Sequence, residues 1–129
     1  MRLLPELTAE NTDFWTGGAK GQLLIAFCDN DHAIHPPERA CPTCLSRNVS
    51  TRPVSGRGSL ASWTINRQQW APDMTVPFAL GIVALDDVPS VRITARLEGF
   101  DLDTIAIGDR VTVDFEEAGP VWLPIFRAA

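Results

Sequence analysis

Three cysteines, all between residues 28 and 44, are the residues whose type and spacing could do chemistry. Cys41 and Cys44 form a C-x-x-C turn with Pro42 at its second position. That spacing lets two thiolates from one tight turn bind the same tetrahedral metal ion, with backbone amides directed at the sulfurs. Cys28 begins a second half-site earlier in the chain. The pattern therefore predicts a zinc-ribbon-like loop.

The fourth position of this predicted site falls on Asp31, three residues after Cys28, where a complete ribbon carries another cysteine. A carboxylate oxygen is an acceptable but less common structural zinc ligand. His32 offers an imidazole that suits zinc but needs a reshaped turn, and His35 is a more distant alternative. A loop held by packing and prolines without a metal is the remaining alternative. We predict structural zinc with four ligands: Cys28, Asp31, Cys41 and Cys44.

A catalytic site is not predicted. The C-x-x-C pair fits a redox role poorly, because redox pairs usually lie at a helix start in a βαβ unit, and no such unit follows. The chain has no tyrosine and two histidines, both in the cysteine loop. It carries no nucleophile elbow, P-loop or dinucleotide fingerprint. The acidic pairs Asp86-Asp87 and Glu116-Glu117 are explained as solvated turn residues at strand ends.

An N-terminal helix is predicted over residues 7–20, with Thr8 as its N-cap and Gly17 and Gly18 near its end. A helix this short must pack against something. Phe14 and Trp15 give it an apolar edge, which would be buried on the rest of the chain or would dock a partner. A short strand over residues 23–27 then leads into the cysteine loop.

The second half of the chain is typical of β-structure. Residues 91–98 and 110–116 alternate apolar with polar side chains, so one face of each predicted strand is buried and the other is wet. Residues 78–85 are almost wholly apolar, as in a central strand. Further strands are predicted over 59–66 and 121–126, the last an edge strand because it contains Pro124. A helical turn over residues 101–106 would separate the third strand from the fourth.

This arrangement of five strands and a small helix matches an OB-type barrel, with a small β-sandwich as the alternative. The predicted fold class is mainly β: an N-terminal helix, a zinc-ribbon-like loop and a five-stranded OB-fold barrel. The predicted domains are residues 1–50, with the helix and ribbon, and residues 51–129, with the barrel.

The composition is that of an ordinary globular protein of 129 residues, 45% hydrophobic and 21% charged. No apolar run reaches the roughly 18–20 residues that would span a bilayer. The start, Met1 to Pro5, is too short and too polar for a secretory signal. An odd number of cysteines argues against a disulfide framework, so a cytoplasmic location is expected.

Charge is unevenly distributed. The net charge is −5, yet the segment from Arg39 to Arg67 contains five arginines and no acidic residue. Such a segment suits a local anionic ligand. The alternative is a set of arginines scattered over a solvated surface.

A single-strand nucleic-acid binder is the alternative function for an OB-fold. Trp63 and Trp70, near Arg57 and Arg67, could stack bases in a basic groove. The net charge of −5 and the single lysine argue against it.

Several short motifs, in this order, resemble a known family. They are Phe14-Trp15, a strand into Cys28, Pro36-Pro37, Cys41-Pro42-x-Cys44, Ser55-Gly56-Arg57-Gly58, Ser62-Trp63-Thr64, Pro77-Phe78-Ala79-Leu80, Gly108-Asp109-Arg110-Val111 and Leu123-Pro124-x-Phe126-Arg127. From about Asp13 to the C-terminus the chain resembles the acyl-CoA-associated family with a rubredoxin-like zinc ribbon and an OB-fold, once labelled a domain of unknown function. The family pattern has cysteine where Asp31 stands and glycine where His32 stands.

The resemblance implies a non-catalytic accessory subunit. Such a subunit would bind a thiolase-fold enzyme (a thiolase or an aldolase that cleaves steroid side chains) or an enoyl-CoA hydratase-like protein. It would stabilise this partner and help to form its acyl-CoA site, in steroid or fatty-acyl degradation. The catalytic groups would belong to the partner, and the basic segment Arg39 to Arg67 would be compatible with contact to a CoA phosphate.

Overall fold

The computed structural model of the chain describes residues 4–129. Met1, Arg2 and Leu3, in the segment predicted not to be an export signal, lie outside the described residues. Within the described range the chain forms one α-helix, one 3₁₀ turn and eight β-strands. Their bounds are α1 Thr12–Thr16, the 3₁₀ turn Gly17–Lys20, β1 Leu23–Cys28, β2 Ala33–Ile34, β3 Val49–Val54, β4 Arg57–Asn66, β5 Phe78–Leu85, β6 Arg92–Glu98, β7 Arg110–Ala118 and β8 Val121–Ala128.

The N-terminal helix is shorter than the predicted segment 7–20, of which α1 and the 3₁₀ turn cover the second part. Thr8 lies before α1 and still caps the turn that leads into it. Its Oγ1 accepts a hydrogen bond from the Asn11 amide at 3.2 Å, and Asn11 Oδ1 accepts one from the Thr8 amide at 2.7 Å. This is the reciprocal pattern of a capping box. Phe14 is buried in the core and Trp15 packs against it, so the apolar edge is covered by the chain itself.

The ribbon half contains a three-stranded antiparallel sheet in the order β2-β1-β3. β1 is the predicted strand 23–27 extended by one residue, and β3 pairs with it from end to end. The sequence pattern predicts neither β2 nor β3. Because β1 is the central strand, its last residue, Cys28, is held firmly at one end of the sheet.

The second half is a closed five-stranded barrel in the order β4-β5-β6-β8-β7, with β7 pairing back to β4. The closing pair β6–β8 is parallel and the other pairs are antiparallel. This strand order confirms the predicted OB-fold. Between β6 and β7, the amide of Ile105 donates to the Asp101 carbonyl at 3.1 Å, which closes a single turn where a short helix was predicted over 101–106.

The prediction that Pro124 marks an edge strand is wrong, because β8 pairs on both sides. Its register explains how the proline is tolerated. Pro124 lies opposite Phe115 of β7, whereas the pairing with β6 begins one residue later, at Ile125. The missing N–H of proline therefore falls just before the second ladder starts.

One apolar core joins the two halves. Leu23, Ile25 and Phe27 of β1 lie in the same cluster of buried side chains as the barrel residues Leu60 and Phe126. Successive side chains of a strand point to opposite faces. Ala26 and Cys28, on the other face of β1, belong to a second, smaller cluster of buried residues together with Ile34 and Cys41.

The predicted domain boundary, between residues 50 and 51, falls inside β3, whose hydrogen bonds run to β1. The division of the chain at that point stays a prediction. None of the helices in residues 4–129 is long and apolar enough to cross a membrane.

Candidate metal centre

Four side chains from two turns converge at the end of β1. The Sγ atoms of Cys28, Cys41 and Cys44 and a ring nitrogen of His32 all lie within 4.8 Å of one another. His32 Nδ1 is 3.5 Å from Cys28 Sγ and 3.5 Å from Cys41 Sγ. Cys28 Sγ is 3.8 Å from Cys44 Sγ. The three cysteines are free thiols, two of them buried.

These separations match a tetrahedral zinc site. Zinc lies about 2.3 Å from cysteine sulfur and about 2.0–2.1 Å from histidine nitrogen. A tetrahedron with those arms has sulfur–sulfur edges of about 3.8 Å and sulfur–nitrogen edges of about 3.5 Å. The cluster therefore fits a structural zinc ion. Four protein ligands would close its coordination sphere and leave no position for a substrate, so the ion would tie the two turns together.

Asp31, the predicted fourth ligand, lies outside this cluster. Its backbone is left-handed, with φ of 64°, a conformation that aspartate adopts more readily than most residues. Its carboxylate accepts a hydrogen bond from Arg52 Nη2 at 2.7 Å, and its side chain is 76% exposed. The left-handed residue turns the Asp31 side chain outward and the following side chain, His32, toward the sulfurs. The structure thus brings three of the four predicted residues together, with His32 in the place expected for Asp31.

Backbone hydrogen bonds shape both turns. In the first turn the Asp31 amide donates to the Cys28 carbonyl and the Cys28 amide to the His32 carbonyl, each at 3.0 Å. The His32 amide also lies 3.4 Å from Cys28 Sγ. In the second turn the Thr43 amide lies 3.4 Å from Cys41 Sγ. Amides directed at sulfur stabilise the thiolate form that binds metal.

The polar surroundings of Cys44 favour its thiolate. Asn30 Nδ2 donates to Cys44 Sγ at 3.4 Å, and this bond, together with the Ser46 amide, lowers the pKa of Cys44 to about 6. Burial raises the pKa of Cys28. Asp29 braces the loop, because its carboxylate accepts hydrogen bonds from Ser46 Oγ at 2.5 Å and from Asn48 Nδ2 at 3.1 Å. These bonds keep the pKa of Asp29 below its usual value.

His35, the third candidate for the fourth position, has a different environment. Its ring lies 5.0 Å from the ring of Phe14, centroid to centroid. Its Nδ1 is buried and has no hydrogen-bond partner among the described residues. Burial lowers the pKa of His35. His35 is therefore a packing residue between the cysteine loop and α1.

The five arginines of the predicted basic segment do not all gather at one site, although Arg39 and Arg47 line one shallow pocket. Arg39 Nε pairs with Glu10 Oε1 at 2.6 Å. Arg52 pairs with Asp31 and also lies over the Phe27 ring, 4.6 Å from its centroid. Arg57 begins β4 and Arg67 follows its end, so a strand of 10 residues, about 30 Å long, separates them.

Trp63 and Trp70, the two tryptophans that could stack bases, lie toward the end of β4, whereas Arg57 lies at its start. Trp70 is 72% exposed in the loop after β4, and Trp63 is 36% exposed within the strand. Trp63 lies about 20 Å along the strand from Arg57, so Arg57 does not share a stacking groove with the two tryptophans. Single-stranded nucleic-acid binding stays a prediction.

A groove with a volume of about 890 Å³ lies between the N-terminal segment, the loop after β2 and strand β6. The partly buried Trp15 supplies aromatic surface. Arg39 and Arg92 supply positive charge, and Glu6, Glu10 and Glu38 supply negative charge. Arg39 belongs to the predicted basic segment, whereas Arg92 comes from β6 and was not singled out by the sequence pattern.

Comparison with known proteins places this architecture in a family. Residues 15–50 match the family model for the ChsH2 rubredoxin-like zinc ribbon domain, and residues 51–116 match the model for the ChsH2 C-terminal OB-fold domain. A "DUF35 domain-containing scaffold protein" of Pyrococcus furiosus is 31% identical over 107 residues, covering 78% of this chain and 77% of that protein. The chain belongs to the ChsH2 (DUF35) family. The resemblance noted in the sequence is therefore confirmed.

Two longer relatives carry enzyme-subunit names. The "Probable enoyl-CoA hydratase alpha subunit" of Thermomonospora curvata is 32% identical over 132 residues. The "3-oxo-4,17-pregnadiene-20-carboxyl-CoA hydratase alpha subunit" of Mycobacterium tuberculosis is 30% identical over 104 residues. The chain spans 40% of the first and 33% of the second, so each of these relatives contains a large part that this chain does not match.

Among solved structures, a chain of "Ltp2-ChsH2(DUF35) aldolase" superposes with a TM-score of 0.87 and is 27% identical, covering 97% of this chain and 98% of that one. A DUF35-family protein of unknown function from Sulfolobus solfataricus has the same fold, with a TM-score of 0.58 and 11% identity. Ribbon and barrel therefore have the relative arrangement found in that aldolase chain.

The spacing in the sequence favours Asp31 over His32, whereas the structure places His32 in the cluster. The signal that favours His32 is chemical, because imidazole is a better zinc ligand than carboxylate beside three thiolates. In this DUF35 chain the spacing Cys28-x-x-x-His32 replaces a C-x-x-C pair, and the left-handed Asp31 accommodates the extra residue.

Proposed function

We propose that this chain is a non-catalytic accessory subunit that binds a thiolase-fold enzyme and helps to form its acyl-CoA site. The observation that carries the proposal is the superposition, over 97% of this chain and 98% of the other, on the DUF35 chain of an aldolase. A chain that matches such a subunit from end to end has the parts needed for the same kind of assembly. Within the described residues, the one cluster of metal-ligating groups has the closed form of a structural site.

The names of the hydratase alpha subunits support an acyl-CoA substrate for the assembled enzyme. Steroid or fatty-acyl degradation in the cytoplasm belongs to the same proposal. The alternative partner is an enoyl-CoA hydratase-type protein, because both named hydratase subunits contain a segment similar to this chain.

The proposed zinc ligands are Cys28, His32, Cys41 and Cys44. Three of their mutual distances are 3.5, 3.5 and 3.8 Å, and all four ligand atoms lie within 4.8 Å of one another, which supports this set. The role proposed for the ion is to fix the loop between β1 and β3.

The proposed acyl-CoA contact is the groove beside α1. The partly buried Trp15 suits the apolar part of an acyl-CoA, and Arg39 and Arg92 suit its phosphates, although Glu6, Glu10 and Glu38 line the same groove. Arg39 is already paired with Glu10, so Arg92 is the stronger candidate for a phosphate contact.

The function is tested by producing the chain alone and together with each thiolase-fold enzyme encoded in the same genome. We expect no thiolase, aldolase or hydratase activity from the chain alone, and a stable complex whose activity exceeds that of the enzyme alone. Full activity of every such enzyme without the chain would contradict the proposal, and so would turnover by the chain alone.

The groove is tested separately in the active complex. Arg92→Ala should raise KM for acyl-CoA by about tenfold with little change in kcat, because a charge-assisted phosphate contact contributes about 1.5–3 kcal/mol. Arg57→Ala, at the start of β4 and away from the groove, is the matched control. An equal KM for both variants would remove Arg92 from the site.

A further inference from the structure

Strand β5 is apolar on both faces. Its buried residues alternate with a second row, Phe78, Leu80, Ile82 and Ala84, that points away from the barrel interior. Ile82 is 37% exposed. The outward row of a barrel strand normally carries polar side chains. A strand with an apolar outer row therefore indicates a surface that another molecule covers.

The outer row has no part in the fold's own core. The partly buried apolar residues that pack against the core come from other places: Trp15, Ala33, Val54, Phe100, Leu102, Val113 and Phe115. The core-facing residues of β5 are Ala79, Gly81, Val83 and Leu85, on its opposite face. Phe78, Leu80 and Ile82 are thus not needed to close the barrel.

An exposed tryptophan extends this row at one end. Asn66 is paired with Phe78 across β4 and β5 and points to the same side. Asn66 Oδ1 accepts a hydrogen bond from Trp70 Nε1 at 3.2 Å. The loop that carries Trp70 is held by Gln69, whose Nε2 donates to the carbonyls of Pro72 and Met74, each at 2.9 Å. A 72% exposed indole is therefore held in place beside the apolar row.

A guanidinium group borders the same row. Arg96 of β6 lies over the Phe78 ring, 4.4 Å from its centroid. Its Nε is 3.3 Å from Glu98 Oε1, yet this buried N–H has no hydrogen-bond partner among the described residues. The Arg96 side chain is 25% exposed beside its ion pair with Glu98, so a carboxylate from another molecule can approach it there.

The row also adjoins the acyl-CoA groove. Thr94 lines the groove, and it is the residue of β6 paired with Ile82 of β5. A protein seated on the outer face of β5 would therefore reach the groove across a single strand.

We propose that Trp70, Phe78, Leu80, Ile82 and Arg96, the outer β5 surface, form the docking site for the partner enzyme. The inference rests on the proposed function and adds where on this chain the partner enzyme binds. The occupant is a protein surface with an apolar ridge that meets Leu80 and Ile82 and a carboxylate that meets Arg96. Exposed tryptophan, arginine and clustered apolar side chains are the residues on which interface affinity usually depends.

Charge and composition favour an enzyme surface over the other occupants. A nucleic-acid strand would need several cations along its path, whereas the outer row of β5 is apolar and is flanked on β6 by two arginines, Arg92 and Arg96. A second copy of this chain would add a further net charge of −5. In a two-fold symmetric dimer through this surface, the same patch of both copies would meet, which would bring the two Arg96 side chains toward each other.

The test measures binding of the full chain to the thiolase-fold enzyme that forms the complex, by isothermal titration calorimetry. Ile82→Glu and Trp70→Ala should each weaken binding by at least about tenfold. Ile107→Glu is the matched control, because Ile107 is also exposed, at 72%, but lies in the loop between β6 and β7. It should bind like the unaltered chain. Circular dichroism and zinc content verify that each variant is folded.

The outcomes separate the two proposals. If no thiolase-fold or hydratase-type enzyme binds the unaltered chain, the proposed function fails. If one binds and Ile82→Glu binds it equally well, the docking site is wrong and the function stands. A homodimer in sedimentation experiments that Ile82→Glu disrupts would overturn the assignment of the occupant, as would binding of a single-stranded oligonucleotide that Trp70→Ala abolishes.

Discussion

Asp31 and Arg52 form an ion pair on the outer side of the first metal-binding turn, with 2.7 Å between Oδ1 and Nη2. The pair accounts for the side on which Asp31 lies. Arg52 is itself placed by β3 and by the Phe27 ring beneath it. The carboxylate is therefore occupied, and the adjacent imidazole faces the thiols.

Replacing Asp31 and replacing His32 should have opposite effects on the zinc content of the protein. Asp31→Asn should leave one zinc per chain, because asparagine also tolerates a left-handed backbone and the residue does not reach the cluster. His32→Ala should lower zinc affinity by more than the roughly 10–100-fold typical of an outer-shell change. Zinc content after dialysis, measured by mass spectrometry, distinguishes the two. Loss of zinc from Asp31→Asn with retention by His32→Ala would restore Asp31 as the ligand.

Removing zinc should destabilise the barrel as well as the ribbon. Leu23, Ile25 and Phe27 contribute to the shared core, and the metal fixes the loop that follows their strand. We expect EDTA to lower the urea midpoint of a single transition for the whole chain. The expectation would be contradicted by two separate unfolding transitions, if EDTA left the urea midpoint of the barrel transition unchanged.

Acid should destabilise the fold through His35. Burial lowers its pKa in the folded state, so the unfolded chain binds the proton more readily. The contribution of neutral His35 is therefore complete above the unfolded pKa of about 6.5 and is lost as the pH falls from there toward the folded pKa. His35→Phe keeps a ring against Phe14 and should show a smaller loss of stability between pH 7.5 and pH 5.5. Urea midpoints with zinc present measure the difference, and equal losses would exclude His35 as the cause.

A methyl group at Gly58 should damage the barrel. A Cβ there would lie 2.3 Å from the Ala84 carbonyl oxygen and 2.9 Å from Val83 Cγ1, so backbone would have to move. Gly58→Ala is expected to cost about 1–3 kcal/mol of unfolding free energy. Ser62→Ala, on an exposed part of the same strand, should stay within about 0.5 kcal/mol. A thermal or urea midpoint for each variant is sufficient, and equal midpoints would show that the barrel absorbs the methyl group.

The barrel could be predicted because its strands carry a local signal. β6 and β7 alternate clearly, and each was found within two residues of its predicted bounds. β3 gives no such signal, since it contains Arg52 and Pro53 and has intermediate and exposed positions throughout. Its place depends on backbone pairing with β1, which is a long-range property.

Other differences from prediction also depend on distant residues. The helix is interrupted where Gly18 packs against Phe115 and Trp122, and a Cβ there would lie 2.6 Å from Phe115 Cδ1. Such close packing favours glycine whatever the local helix propensity. The choice between Asp31 and His32 depends on one backbone angle and on Arg52, 21 residues further along. The outer row of β5 was visible in the sequence as a continuous apolar run, but only the barrel shows which half of it faces out.

The parallel pairing of β6 with β8 imposes an order on folding during synthesis. β8 is the strand that joins β6 to β7, so the ring of hydrogen bonds stays open until residues 121–128 have been translated. While the ribosome still holds that segment, the strands already released expose the apolar surfaces that β8 will cover. Contacts of such long sequence separation form late, and folding of this chain should be slow for its size. A chaperone or an early-arriving partner would act in that interval, before the last strand closes the ring.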